Sequence, residues 1–170
     1  VPAARGVAPV FRVGGGMSAQ DAMELTGAES ERCVAAWMRV TPCYNKPTRE
    51  GRCRHSRAIA EAVDMPEILY NVPARTACDM LPDTVLRLST VPNIVGIKEA
   101  TGSLERGREI LARCAPEFVV YSGDDATAAG LMLCGARGNV PVPANAAALP
   151  GAALCCRALA VVARVARAHE

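Results

Sequence analysis

The chain has 170 residues, of which 51% are hydrophobic, so it can bury one substantial core, and a single domain over residues 1–170 is expected. Its net charge is only +2 and 4% of its residues are aromatic, so the basic stripe or stacking platform of a nucleic-acid-binding protein is missing. The apolar runs are shorter than a membrane span requires, and the first residues lack a signal-peptide hydrophobic region, so we expect no membrane partner and a cytoplasmic location.

The eight cysteines predict the thiols of a reduced protein rather than a disulfide framework or a metal site. They include no C-x-x-C pair, and the sequence has only two histidines, so the ligand spacing of a zinc site is missing. Scattered cysteines in apolar surroundings are typical of small core side chains in a reducing compartment. We therefore expect no metal.

The first third of the chain alternates between strand-like and helical segments. Pro9–Val13 predicts a strand, which is followed by the triple glycine Gly14–Gly16 and by a helix that begins at Ser18. A glycine triplet before a helix can cradle a phosphate, but the further glycines or lysine of such a fingerprint are missing, so a plain turn is favoured. Val34–Val40 predicts the second strand, and a helix is expected from about Glu50 to Val63.

The remainder continues the same alternation, with four further strands that each precede a helix. The predicted segments are the strand Glu67–Tyr70, the helix Leu81–Leu88, the strand Asn93–Lys98, the helix Ser103–Cys114, the strand Phe118–Tyr121, a helix ending at Cys134, the strand Gly138–Val142 and the helix Ala152–His169. Six strand–helix units at a spacing of roughly 25 residues predict an α/β fold with a parallel sheet or barrel.

Lys98 stands out because the chain uses arginine almost everywhere else. Of its 19 basic residues, only Lys46 and Lys98 are lysines. A desolvated lysine can lose its proton and form an imine, which arginine cannot do. Alternation along the strand predicts that Gly96 leaves space beside the amine and that Glu99 points to the opposite face. The alternative is an ordinary lysine that extends to solvent at the end of a strand.

The other unusual side chains also follow predicted strands, and such positions converge on one end of a parallel βα barrel. Each has a structural alternative: the tyrosines could lie at a wet rim, the arginine could form a surface ion pair, and the aspartates could cap a helix. Their joint placement around one lysine favours a site. They are Tyr44, Tyr70, Arg75, Asp124 and Asp125.

Four segments in this order resemble the dihydrodipicolinate synthase family, pyruvate-dependent enzymes of lysine and diaminopimelate biosynthesis. The segments are Thr41-Pro-Cys-Tyr-Asn-Lys-Pro-Thr48, Leu69-Tyr-Asn-Val-Pro-Ala-Arg-Thr76, Val95-Gly-Ile-Lys-Glu-Ala-Thr-Gly102 and Ser122-Gly-Asp-Asp-Ala126. The resemblance implies a (β/α)8 TIM barrel, of which this chain would be a part with six βα units.

The resemblance also implies roles for the lysine and two tyrosines. Lys98 would form a Schiff base with pyruvate, so that no separate cofactor is needed. Tyr70 would relay protons at the developing imine. Tyr44 would complete that relay in the active site of a neighbouring subunit, because the family is typically a homotetramer.

Substrate binding is implied for four more residues. Arg75 would position the carboxylate of aspartate semialdehyde, and Gly123, Asp124 and Val140 would contribute to the pyruvate pocket. The arginine favours the synthase over a sialic acid lyase, and a sugar-acid aldolase is the alternative enzyme.

The sequence also departs from the family pattern. The segment of the family that supplies a threonine between the two tyrosines has no match, and Pro141 and Pro143 fall in the last predicted strand, where a proline cannot donate a hydrogen bond. A catalytically silent fragment is therefore a further alternative. We expect weak turnover, marginal stability and self-association of this chain.

Overall fold

The computed structural model describes residues 11–15, 18–30 and 34–167, and within them six strands form one parallel sheet in the order β1-β2-β3-β4-β5-β6. The strands are β1 Phe11–Gly14, β2 Ala36–Val40, β3 Glu67–Asn71, β4 Ile94–Glu99, β5 Val119–Ser122 and β6 Gly138–Asn139. The helices are α1 Ala19–Ser30, α2 Arg49–Ala62, α3 Pro73–Thr76, α4 Pro82–Leu88, α5 Leu104–Arg113, α6 Ala128–Leu133 and α7 Ala144–Arg167. The prediction of six parallel strands that alternate with helices is confirmed.

Hydroxyl side chains begin three of the helices, as their sequence positions indicate. Ser18 Oγ accepts a hydrogen bond from the Asp21 backbone N–H at 3.0 Å. Ser103 Oγ accepts one from the Arg106 N–H at 3.2 Å. Thr48, which the sequence analysis did not single out, does the same for α2. Each oxygen satisfies one of the N–H groups that a helix leaves unpaired in its first turn.

The sixth strand is shorter than predicted. It ends at Asn139, so Pro141 and Pro143 lie after the strand, and their missing N–H groups cost the sheet nothing. The expected conflict between these prolines and a central strand is therefore wrong. Within the predicted segments, the residues that lie outside the described part of the chain are Pro9, Val10, Gly16, Ala168 and His169.

The two faces of the sheet differ. On one face, Leu69, Ile97 and Val120 pack against the buried residues of the helices in the main core. On the other, which we call the inner face, a small cluster of Ala36, Met38 and Ile68 is built from strand residues. The partly buried side chains packed against this small cluster are Tyr70, Val95, Tyr121 and Val140.

The last helix departs most from the prediction. It spans Ala144–Arg167 rather than beginning at Ala152, and it consists of two helical pieces that meet at a break at Ala147. Pro150 lies in the first turn of the second piece, where a proline is tolerated. Within it, Ala144–Arg164 is long and apolar enough to cross a membrane by length and composition, although most of it is exposed. By length and composition, the expectation that every apolar run is too short is thus wrong for this alanine-rich segment, although the break at Ala147 lies within it.

Candidate active site

Lys98 lies near the end of β4 on the inner face of the sheet, with 8% of its surface exposed. The sheet register pairs it with Tyr70 on β3 and with Tyr121 on β5. Its Nζ lies 4.3 Å from the centroid of the Tyr70 ring. At this distance the face of the ring attracts an ammonium group, so Tyr70 holds the amine at a defined place.

Gly123 provides the room for this lysine. A Cβ atom at position 123 would lie 2.6 Å from Lys98 Cε and 2.7 Å from Ala100 Cβ, closer than real carbon atoms approach. The Gly123 N–H donates to the Glu99 carbonyl at 2.8 Å, so the backbone cannot easily withdraw. A glycine is therefore required here for the lysine to occupy its position.

Gly96 has a different role from the one expected. A Cβ there would meet the side chain and carbonyl oxygen of Val119 on the neighbouring strand. The prediction that Gly96 leaves open space beside the amine is therefore wrong, because β5 fills that space. The glycine permits close approach of two strands instead.

Burial and one nearby carboxylate have opposite effects on the pKa of Lys98. Burial lowers the pKa of Lys98, and the negative charge of Asp125 opposes this shift. Asp124 is used differently: its Oδ2 accepts hydrogen bonds from the Thr127 N–H at 3.0 Å and from Thr127 Oγ1 at 2.7 Å. Those contacts cap the turn before α6, as the structural alternative for this aspartate anticipated. Asp125 is thus the aspartate whose charge reaches Lys98, whereas the family resemblance implies substrate binding by Asp124.

The remaining predicted site residues divide between the sheet and the surface. Val140 packs on the inner face, and its N–H donates to the Ser122 carbonyl at 2.9 Å. Arg75 is exposed on the short helix α3, which follows β3 directly. Tyr44 is 89% exposed in the loop between β2 and α2. Lys98, Tyr70 and Gly123 are therefore brought together, while Arg75 and Tyr44 project into solvent.

A buried polar pair lies directly behind Lys98 and was missed as a possible functional feature. Glu99 points away from the amine, as alternation predicts, and its Oε2 accepts a hydrogen bond from Asn71 Nδ2 at 3.1 Å. Both residues are buried, at 3% and 0% exposure. Burial raises the pKa of Glu99, and hydrogen bonds from Asn71 and Thr101 oppose the shift. The available clue in the sequence was a polar residue at the end of each of two successive strands, directly after Tyr70 and Lys98.

Sequence comparison matches residues 1–169 to the model of the dihydrodipicolinate synthetase family. The chain belongs to this family. It is 56% identical over 160 residues to the 4-hydroxy-tetrahydrodipicolinate synthase of Stutzerimonas stutzeri, covering 94% of this chain and 55% of that protein. The synthase of Pseudomonas syringae is also 56% identical, over 163 residues that make up 95% of this chain and 56% of the relative. The chain thus spans about half the length of the curated family members it matches.

A solved family structure has the same arrangement of strands and helices. The chloride-inhibited dihydrodipicolinate synthase of Acinetobacter baumannii, complexed with pyruvate, superposes with a TM-score of 0.91 at 47% identity. The match covers 94% of this chain and 55% of that structure. This similarity confirms the predicted fold class, a part of the TIM barrel of the dihydrodipicolinate synthase family.

Proposed function

We propose that this chain carries the imine-forming centre of a 4-hydroxy-tetrahydrodipicolinate synthase, a lyase of lysine and diaminopimelate biosynthesis, with Lys98 as the nucleophile. The observation that carries the proposal is the buried Lys98 amine, held 4.3 Å from the Tyr70 ring centroid. Burial favours the neutral amine, which is the form that attacks a carbonyl. The family membership and the relative complexed with pyruvate support the same assignment.

The chemistry requires only the amine and positioned proton carriers. The nitrogen lone pair of Lys98 adds to the C2 carbonyl of pyruvate, and loss of water gives a protonated imine. That cation accepts the electron pair of a C3–H bond when the proton leaves, which forms an enamine. The enamine C3 then adds to the aldehyde carbon of aspartate semialdehyde, and the amino group of that substrate displaces Lys98 from C2. In this scheme Tyr70 carries protons at the imine, and no metal or separate cofactor takes part.

Two exposed residues complete the scheme. Arg75 follows β3 on α3, where its guanidinium can pair with the carboxylate of the incoming semialdehyde. We assign Tyr44 to the relay of a neighbouring subunit in a homotetramer, which agrees with its 89% exposure. Gly123 and Val140 border the pyruvate site, and the cytoplasm is the proposed location.

Borohydride trapping tests the proposal directly. Reduction in the presence of pyruvate should add a pyruvate-derived mass to the peptide that contains Lys98. The exposed Lys46 provides an internal control, because it is the second of only two lysines. Lys98→Arg should abolish trapping and Lys46→Arg should not. Labelling at Lys46 with an intact Lys98 would refute the assignment.

Arg75 provides a test between the synthase and the alternative, a sugar-acid aldolase. A single guanidinium suits the carboxylate of aspartate semialdehyde, so Arg75→Leu should reduce condensation with that aldehyde by roughly tenfold or more while trapping of pyruvate continues. Faster consumption of a sugar-acid aldehyde than of aspartate semialdehyde would favour the aldolase instead. Absence of trapping in the folded chain would support the catalytically silent alternative.

A further inference from the structure

The side chains of Asn71 and Glu99 form a hydrogen bond between β3 and β4, on the opposite face of the sheet from Tyr70 and Lys98. The register pairs Asn71 with Glu99 and Tyr70 with Lys98, one step earlier. Alternation along the strands sends Tyr70 and Lys98 to the inner face and the other two to the helix-covered face. The 3.1 Å hydrogen bond from Asn71 Nδ2 to Glu99 Oε2 therefore fixes the same two strand ends from the opposite side.

Asn71 also connects these strand ends to the surrounding loops. Its Oδ1 accepts a hydrogen bond from the Met80 N–H at 2.9 Å, and its Nδ2 also donates to Asp79 Oδ1 at 3.1 Å. Arg106 Nη2 on α5 donates to the other oxygen of Asp79 at 3.0 Å. The amide thus has partners for both its oxygen and its nitrogen, in a chain of contacts that extends from α5 to β4.

The second carboxylate oxygen of Glu99 secures the chain just beyond the lysine. Glu99 Oε1 accepts a hydrogen bond from the Thr101 N–H at 2.8 Å. The backbone at residue 101 is thereby held to the buried side chain of the residue that follows Lys98. Asn71 and Glu99 are the buried members of this network, and loss of either one removes a hydrogen-bond partner from the other in a place that water does not reach.

We propose that Asn71 and Glu99 are positioning residues for Lys98: their hydrogen bond across the ends of β3 and β4 holds the amine over the Tyr70 ring. This inference rests on the proposed imine chemistry of Lys98. The two residues act through the backbone, since both point away from the amine.

The physical consequence concerns the surroundings of the amine. The groups that face Lys98 are the Tyr70 ring from β3, Tyr121 from β5, and the charge of Asp125 from the loop after β5. Loosening the strand ends separates the amine from Tyr70 and admits water, which restores part of its lost hydration. The pKa of Lys98 should then rise toward its ordinary value, and less neutral amine should be present at neutral pH.

The test measures Lys98 without any substrate. Competitive labelling with acetic anhydride over a range of pH gives the titration midpoint of each lysine by mass spectrometry, with Lys46 as the internal reference. In Asn71→Ala the Lys98 midpoint should rise toward the ordinary value of a lysine, because burial is what lowers it. Borohydride trapping of pyruvate at neutral pH should slow by roughly tenfold. Glu99→Gln, which keeps an oxygen acceptor, should lie closer to wild type than Glu99→Ala in both measurements.

Asn93→Ala is the matched control. The Asn93 amide also donates two hydrogen bonds, to the Ala60 and Val63 carbonyls at 2.9 and 3.1 Å, but at the beginning of β4. The Asn93→Ala variant should leave the titration midpoint of Lys98 unchanged. An unchanged midpoint in Asn71→Ala, or an equal shift in Asn93→Ala, would overturn the positioning role even if pyruvate is trapped normally. If Asn71→Ala does not fold, the comparison of Glu99→Ala with Glu99→Gln decides the question.

The labelling result also separates this inference from the proposed function. A midpoint that rises in Asn71→Ala, in a protein that never traps pyruvate, would refute the imine chemistry and support the control of the amine by Asn71. Normal trapping with an unmoved midpoint would refute the positioning role alone.

Discussion

At the scale of single residues, the position of the Lys98 amine depends on Gly123, because any other residue there would add a Cβ atom next to the lysine side chain. That Cβ would lie 2.6 Å from Lys98 Cε, so a substitution forces either the lysine side chain or the backbone to shift. Such a contact is relieved only if the Lys98 side chain rotates or the backbone at the end of β5 moves. Either change displaces the nucleophile from the Tyr70 ring.

We therefore predict that Gly123→Ala slows pyruvate trapping at Lys98 by roughly tenfold to a hundredfold, since displacement of a reacting group by about an ångström has effects of this size. Overpacking should also reduce the free energy of unfolding by about 1 to 3 kcal/mol. Trapping rates from borohydride quenching and urea denaturation provide the two measurements.

Gly151→Ala is the control for this substitution, because no atom lies within 4 Å of the added Cβ on the exposed helix α7. It should leave trapping unchanged. If Gly123→Ala traps pyruvate at the wild-type rate, then the close contact does not control where the amine lies.

At the scale of secondary-structure elements, Arg39 on β2 and Glu67 on β3 form a buried hydrogen-bonded pair on the helix-covered face. Arg39 donates from Nη1 to Glu67 Oε1 at 3.2 Å, its Nη2 also contacts Glu67 Oε2, and Nη2 donates to the Ser56 carbonyl of α2 at 3.3 Å. Burial raises the pKa of Glu67 to about 7, although Arg39 opposes the shift. Burial and the Arg39 charge lower the pKa of His55 to about 4.

These two shifts have opposite effects on stability. The folded state holds a proton on Glu67 that the unfolded state has released, so this group's contribution to stability falls as pH rises from 4.5 to about 7. The unfolded state holds a proton on His55 that the folded state has released, so its contribution rises as pH increases from about 4 to 6.5. Between about pH 4.5 and 6.5, the loss of stability from Glu67 and the gain from His55 largely cancel as pH rises.

We predict that His55→Gln removes this compensation. Relative to wild type, the variant should be more stable by about 1 kcal/mol at about pH 5 than at about pH 7, because solvent screens part of the effect at the half-buried His55. Urea denaturation at several pH values measures this difference. Arg57→Gln, an exposed change on the same helix, should give a difference from wild type that is independent of pH. A constant difference for His55→Gln would contradict the assigned pKa of the histidine.

The elements themselves could largely be predicted from the sequence, whereas contacts between them could not. Lys98 and Tyr70 each follow an apolar run, and parallel strands bring their ends together, so the central pair was accessible from local patterns. Gly96 was misjudged because the approach of Val119 depends on the packing of β5 against β4. The contact between Arg39 and Glu67 could not be predicted either, because the two residues are 28 positions apart in the sequence and meet only through the register of β2 and β3.

At the scale of the whole molecule, apolar side chains are exposed at one end of the chain. Leu149 is 84% exposed, Val142 77% and Leu154 44%, on α7 and just before it. Strands β1 and β6 each have one strand neighbour within the described residues, so each has a free side. An uncovered parallel edge and an apolar helix surface both favour association with other chains.

The final prediction is that the isolated chain self-associates through this apolar surface of α7. Sedimentation velocity should show a mass distribution that moves to larger species as concentration rises from micromolar upward. The double substitution Leu149→Lys and Leu154→Lys should shift it toward the monomer, because charges at an apolar contact must be desolvated without partners. Arg157→Lys, which preserves an exposed charge on the same helix, should leave the mass distribution unchanged. Association that persists unchanged in the double variant would exclude the α7 surface as its cause and leave the strand edges as the alternative.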